Sequence, residues 1–552
     1  MAPASTRKSN SPAVASSAKT SRDLSFKPRF RHNYGDDEEY YKFVDNYKEA
    51  WQKKLYYVDE SVLREQAEKK KLNCREFPSI NIKDLNIDDP VTEEIDEKSI
   101  QQDFLSQLTV DVTRGSSETS LDLNIHETRD LEELTTRKGL LLNAGGHITS
   151  AKWLHSPLNA EAKSHYLAVA VIHNPHGLAN SVNSRELSIF HKKEGQNEIH
   201  SAIQVWKYTL DTNKLELEKF YTTTELGGTT NLSWLPINVE GDKSVLGVLV
   251  GTFTDGKLHL FKVSTQGVKY VNVTKPSLTY SLSNHSSKSG DETPNIITYD
   301  FIGSDKILAG LTDGCLAEYI LPYYSDESDI IDHNIPSYIQ RVADGPLTSI
   351  LVAEPEPKRY VILVNSTATQ TLAYEYDNYL QGRITSFSVK SLSRPTYNHS
   401  LKMFISTSAW DSISFNFIRN PHEGANSLLK FDNFVSTTQS SEILGHPLNL
   451  TGTSDGDVVI VNYSRKFLNG AKTTNKTLKP LKLWKLKYIE GILKLSADYE
   501  VVPTEGTSNL QISPPEVVIS TLAWNENISG SSTYVAGCIA GLLMLERLDP
   551  HA

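Results

Sequence analysis

The sequence predicts an all-β fold in which like-built sheets are arranged around an axis. Three observations carry that reading: a hairpin phrase recurs, a set of similar inner strands accompanies its copies, and the last copy lacks an outer strand that the chain can supply from elsewhere. The clearest copy is Gly251-Thr-Phe-Thr-Asp-Gly-Lys-Leu-His-Leu-Phe-Lys-Val263. Asp255-Gly256 reads as the tight turn of a primed hairpin, whose central residues both take positive φ. Leu258 and Leu260 alternate with Lys257 and His259, the period of a half-buried strand. The phrase returns as Leu311-Thr-Asp-Gly-Cys-Leu-Ala-Glu-Tyr319 and as Thr453-Ser-Asp-Gly-Asp-Val-Val-Ile-Val461, and more loosely around Trp410 and Gly541. Recurrence every 40–60 residues or so marks a repeat architecture.

Inner strands are expected at 145–153, 230–234, 296–301, 347–352, 384–389, 439–444 and 519–524. The first begins Gly145-Gly-His147 and ends on Trp153, the manner in which a propeller blade opens. Further β-rich strands follow most of them, such as Ile203-Gln-Val-Trp-Lys-Tyr208. Seven blades of four strands make a seven-bladed β-propeller, a common closed all-β form. The last blade has a third strand at 542–547 and no fourth before Ala552. Lys138-Gly-Leu-Leu-Leu-Asn143, just ahead of the first blade, is the expected donor, which would close the ring and remove an open sheet edge.

Composition narrows the function. The 552 residues carry a net charge of -11. That argues against the whole chain wrapping nucleic acid, while leaving room for local basic segments. Cys74, Cys315 and Cys538 are far apart and lack ligand spacing, so neither a disulfide framework nor a zinc site is expected, and a reducing compartment is. No apolar run is long enough for a transmembrane helix, and the basic, Ser-rich start lacks the apolar core of a secretory signal.

Four regions are expected. Residues 1–35 form a disordered basic arm, 36–75 a helical segment, 76–136 an acidic irregular linker and 137–552 the propeller. The arm ends Lys27-Pro-Arg-Phe-Arg-His32. Lys27, Arg29 and Arg31 are candidate nucleic-acid contacts there, the bland alternative being a solubilising tail. Phe30 between the arginines is a poor fit to an AT-hook, which needs Gly to lie deep in the minor groove. Acidic residues 36–39 open a helix at its favoured end. Tyr40, Phe43, Val44, Tyr47, Trp51 and Leu55 then recur at three- and four-residue steps as one apolar stripe. The stripe packs on the protein's own body, or it docks a partner through Tyr40, Phe43, Tyr47 and Trp51. A second helix is expected near 61–71. Removing 1–135 is expected to leave the ring folded and weaken assembly.

Insertions are expected at 173–200, 279–294, 323–337 and 464–482. The last carries Arg465, Lys466, Lys472 and Lys476, the candidate nucleic-acid contacts of the ring, with a solvated loop as the alternative. Several enzymatic or ligand-binding readings fail on residue type. Gly251 to Lys257 matches most of a phosphate loop, but Leu258 stands where Ser or Thr would bind magnesium, and a strand follows instead of a helix. His173 and His176 have no third ligand. Asp455 and Asp457 flank a turn glycine without the rest of a calcium ladder. The expectation is a protein without enzymatic activity, cofactor or metal; several carboxylates converging on one pocket with raised pKa would point instead to a propeller enzyme.

The order Gly145-Gly-His147 to Trp153, Tyr166 to Val171, Ile203-Gln-Val-Trp206, Leu226-Gly-Gly228, Leu232-Ser-Trp234 and Leu246 to Lys257 resembles the WD-repeat subunit of transcription factor TFIIIC, from its B-box-binding (tau-B) lobe, in a fungal form. The resemblance covers about 138–548 and is strongest in the first two blades. It implies a nuclear scaffold that pairs with a second propeller subunit and other TFIIIC subunits. It also implies support for recognition of the B-box of tRNA genes, and assembly of the RNA polymerase III preinitiation complex, with DNA met through the complex. Some fungal relatives carry an AT-hook in the arm; its absence here puts direct contact by the arm in doubt. Another nuclear WD-repeat adaptor, in ubiquitin ligation or RNA processing, is the alternative.

Overall fold

The computed structural model describes residues 26–68, 77–157, 160, 162–174, 199–282, 293–323, 334–368, 370–377, 385–388, 393–419, 426–468, 478–503 and 512–548. They build a β-propeller. A strand β1 (Lys138–Asn143) precedes a series of inner strands, each at one end of its own sheet. These are β2 (His147–Trp153), β3 (Thr229–Trp234), β4 (Ile296–Ile302), β5 (Leu347–Glu356), β6 (Thr396–Asn398), β7 (Val435–Ser440) and β8 (Ile519–Trp524).

Polar side chains lace neighbouring inner strands together. The Ser150 hydroxyl donates to Leu232 O at 3.3 Å, joining β2 to β3. Asp300 on β4 accepts from Val352 N of β5 at 2.8 Å. Ser440 N of β7 donates to Thr396 Oγ1 of β6 at 3.0 Å. Ser436 donates to Ile519 O at 2.6 Å, joining β7 to β8. Ser520 of β8 donates to Ile148 O of β2 at 2.5 Å, which joins the last inner strand to the first. Each sheet lies between two others, so its strands are apolar on both faces. Leu167, Val169 and Val171 enter one core cluster while Ala168 and Ala170 enter the next.

The expected closure is present. β1 pairs antiparallel with β9 (Leu542–Arg547), with Leu140 opposite Leu545 and Leu142 opposite Leu543. Leu140, Leu141 and Leu142 are all buried, because Thr128–Asp130 covers the far edge of β1.

Three expectations need correction. First, 384–389 is not an inner strand. Thr385–Ser388 pairs on the outer edge of the sheet that opens on β5, and β6 opens the next. The expected 439–444 strand overlaps β7 only at Gln439 and Ser440. Six of the seven expected inner strands therefore overlap a real one. Nor does every sheet that opens on an inner strand have four strands: four do, and the others have five, six and eight, since the extension and nearby loop strands join their edges; Ser79–Asn81 and Asn238–Glu240 make a separate two-stranded sheet.

Second, the hairpin turns are not primed. Gly256 lies at φ +79°, but Asp255 is not among the positive-φ residues. Gly256 N donates back to Phe253 O at 3.0 Å, and Phe253 N to Lys257 O at 3.2 Å. That is an unprimed turn closed by one left-handed glycine. Asp255 Oδ1 accepts from Lys257 N at 3.0 Å, a local bond that stabilises the unprimed form.

Third, the extension is woven into the ring. Its helices are α1 (Phe26–Tyr34), α2 (Glu38–Lys53) and α3 (Glu60–Glu68). Asp37 caps α2 by accepting from Tyr40 N at 2.9 Å, and Glu38 and Glu39 fill the first turn, where the helix dipole favours acids. The segment expected to be an irregular linker carries five strands among its described residues. Val91–Glu94 lengthens the sheet that opens on β2, and Gln107–Arg114 pairs parallel to Ile492–Ser496, with Ser117–Asn124 outside it. Part of the basic arm, from Phe26, is helical rather than disordered.

Candidate functional site

The four docking candidates lie inside the molecule. Tyr40, Phe43, Tyr47 and Trp51 share a core cluster with Met403, Ile405 and Ile413 of the sheet on β6, and with Val459 and Val461 of the sheet on β7. Trp51 is 0% exposed and Phe43, the most exposed of the four, 7%. The Tyr40 hydroxyl donates to Ser400 O at 2.7 Å, and burial pushes it far above the ordinary phenol range. Tyr47 donates to Glu65 on α3 at 2.9 Å. Asn462 Nδ2 donates to the Trp51 carbonyl at 2.9 Å. The stripe is therefore the seam between extension and ring. Its residues are not available to a partner, because desolvation of their rings already drives this packing.

The basic candidates fall into separate places. Lys27, Arg29 and Arg31 lie on α1. Lys27 Nζ meets Glu38 at 2.9 Å, and Arg31 meets Glu38 at 2.9 Å and Asp36 at 3.0 Å. Lys27 and then Arg31 hold the Glu38 carboxyl below its usual range. Arg465 and Lys466 sit on the short helix Ser464–Phe467, at the opposite end of α2, where Gln52 donates to Ser464 O at 3.0 Å. Lys466 lies 5.6 Å from the Phe415 ring centroid, and burial lowers its ammonium pKa. Lys472 and Lys476 lie outside the described residues. The two groups thus flank α2 rather than forming one patch, and part of their charge is already spent on neighbouring acids.

The other candidates resolve into hairpin chemistry. His259 Nε2 lies 2.9 Å from Asp255 Oδ2, so the phosphate-loop match is a pinned β-turn. Asp457 meets Lys482 at 3.1 Å and Lys485 at 2.9 Å, and Asp455 meets Lys485 at 3.2 Å, which answers the calcium reading with ion pairs. His176 lies outside the described residues.

What sequence reasoning missed is which residues line the ring's axis. A cavity of about 180 Å³ lies there, lined by residues from every inner strand. Asp300 reaches into it. Its Oδ1 accepts from Phe301 N at 2.8 Å, and its Oδ2 accepts from Val352 N at 2.8 Å and meets Arg394 at 3.1 Å. These contacts make the carboxylate a brace between β4, β5 and Arg394. At one mouth His155, Glu442 and Glu526 converge, with His155 Nε2 2.9 Å from Glu526 Oε2. They follow β2, β7 and β8 at the same strand ends, which no spacing in the sequence reveals. On the outer surface, exposed Trp410 and Phe434 pack edge to face with centroids 5.8 Å apart. No helix among the described residues is long and apolar enough to cross a membrane.

No family model matches the chain. Two curated proteins do. It is 25% identical over 437 residues to the transcription factor tau 91 kDa subunit of Saccharomyces cerevisiae, covering 75% of this chain and 58% of that protein. It is 25% identical over 434 residues to the transcription factor tau subunit sfc6 of Schizosaccharomyces pombe, covering 76% of this chain and 66% of that one. The chain thus spans about three-fifths to two-thirds of the length of these relatives. Among solved structures, Raptor of Chaetomium thermophilum superposes with a TM-score of 0.45 at 11% identity, covering 77% of this chain and 29% of that one.

Proposed function

We propose that this chain, a relative of the fungal transcription factor tau subunits, is a non-enzymatic propeller subunit of TFIIIC, the general transcription factor of RNA polymerase III. In that complex it pairs with a second propeller subunit, supports recognition of the B-box in tRNA-type promoters, and helps assemble the preinitiation complex in the nucleus. The observation that carries the reading is the match to two tau subunits over three-quarters of the chain.

The site chemistry supports a scaffold. Asp300, the central carboxylate, is held by backbone and Arg394. The ion pairs of Lys27 and Arg31 with Glu38 favour DNA contact through the complex over contact through α1, since phosphate binding would have to displace those acids.

Cross-linking of the assembled complex, followed by mass spectrometry, tests the pairing. The expected result is that lysines of this ring cross-link most densely to a second propeller-bearing subunit. Cross-links confined to subunits without a propeller overturn the pairing.

A further inference from the structure

We propose that His155, Glu442 and Glu526 form a binding site for one divalent transition cation, with zinc as the representative ion, pinning the ring across its closing blade. The three ligand atoms lie within 4.8 Å of one another and line the axial cavity. Each comes from a different sheet. His155 follows β2 (His147–Trp153), Glu442 follows β7 (Val435–Ser440), and Glu526 follows β8 (Ile519–Trp524). The sheet on β8 is the one that β1 completes, so the ion would hold that sheet to both neighbours.

The ligand types suit such an ion. One imidazole and two carboxylates are the mixed nitrogen and oxygen donors that zinc accepts, and water from the cavity supplies a further position. Bonds of roughly 2.0–2.2 Å around a tetrahedral ion set ligand atoms about 3.3–3.6 Å apart, so His155 and Glu526 would part slightly from 2.9 Å to admit it, a shift within reach of glutamate side-chain rotation. The backbone that carries them is already cross-tied. Asn527 Oδ1 accepts from Ser156 N at 2.6 Å, and Asn527 Nδ2 donates to Leu154 O at 2.9 Å, locking the loop after β2 to the loop after β8. Trp524 Nε1 donates to Gln439 O at 3.3 Å, locking β8 to β7. Phe77 packs edge-on against the His155 ring at 4.4 Å and fixes its plane. His155 Nε2 and Glu526 Oε2 stand at an ordinary hydrogen-bond distance, 2.9 Å, and a cation between them would replace that bond. The competing source of positive charge is Lys152, which lines the same cavity.

The test is titration of the chelator-stripped, full-length protein with zinc chloride, read by calorimetry and by metal content after gel filtration. Wild type is expected to take up one equivalent, and zinc is expected to raise its melting temperature. Glu442→Gln and Glu526→Gln, which keep side-chain shape, should each weaken uptake at least roughly tenfold and abolish the thermal shift. Cys315→Ser, which removes a half-exposed thiol elsewhere, should leave both unchanged. No uptake by wild type would mean that the protein's own groups already satisfy the carboxylates, and the proposal falls. Uptake that neither glutamate substitution weakens would mean an adventitious ion only, and it falls equally. Neither result bears on membership of TFIIIC.

Discussion

Arg137 and Glu546 form a buried two-point ion pair where the first ring strand meets the last. Arg137 Nε donates to Glu546 Oε1 at 2.8 Å, and the second guanidinium nitrogen pairs with Oε2. Arg137 also donates to Leu483 O at 2.6 Å and Ala497 O at 3.1 Å, and stacks 3.4 Å over the Trp484 ring. Tyr499 and Tyr534 donate to the same carboxylate, the first at 2.9 Å. Burial works against the guanidinium charge, but Glu546 outweighs it and holds the group charged above its ordinary range. The network is satisfied as a unit, so losing one member leaves the other charge stranded. Glu546→Gln and Arg137→Met should each cost about 3–5 kcal/mol in urea unfolding. A cost under about 1 kcal/mol would show that the closure does not depend on the pair.

The seam between α2 and the ring is expected to be structural. Trp51→Ala should destabilise by about 3–5 kcal/mol through cavity formation. Removal of 1–135 should yield aggregation, because it uncovers the apolar faces around Met403 and Val459 and strips the edge strands. A soluble, cooperatively melting fragment from 136 onward would restore the original expectation of an independent ring.

Gly314 lies at φ +86°, and a Cβ there would stand 2.2 Å from the Ala343 carbonyl oxygen. Backbone cannot move aside as a side chain can, so Gly314→Ala should cost more than about 1 kcal/mol. Equal urea midpoints for variant and wild type would contradict this reading of the turn.

Acid should weaken the fold through its buried histidines. Burial lowers the pKa of His446 to about 3 and of His165 to about 4. Both are neutral in the folded state at pH values where the unfolded chain takes up protons. Their contribution is complete above the unfolded value of about 6.5 and is lost as pH falls toward the folded ones, by the order of 1–2 kcal/mol each at pH 5. Urea midpoints between pH 7.5 and 5 should fall for wild type and fall less for His446→Gln. Identical slopes would remove His446 from the account.

What could be read from the chain follows from which signals are local. The recurring Asp-Gly turns and the apolar run Leu140-Leu-Leu142 announce hairpins and a closing strand without reference to anything distant. Alternation at Thr385–Ser388 announces a strand equally well, but period two does not tell an inner strand from an outer one, while β6 has only three residues. Gln107–Arg114 alternates Leu108, Val110 and Val112 with polar residues, a strand pattern hidden by the acidity around it. The amphipathic stripe of α2 was legible as a buried face, and its position against the sheets on β6 and β7 was not. Arg137 and Glu546, or His155 with Glu442 and Glu526, are separated by hundreds of residues, and only the closing of the ring brings them together.

Affinity purification of the tagged full-length chain from nuclei, with identification of what accompanies it, tests the central claim most directly. The account predicts the remaining TFIIIC subunits in near-equal amounts. Recovery of an unrelated assembly, or of the chain without any component of the RNA polymerase III machinery, would contradict it.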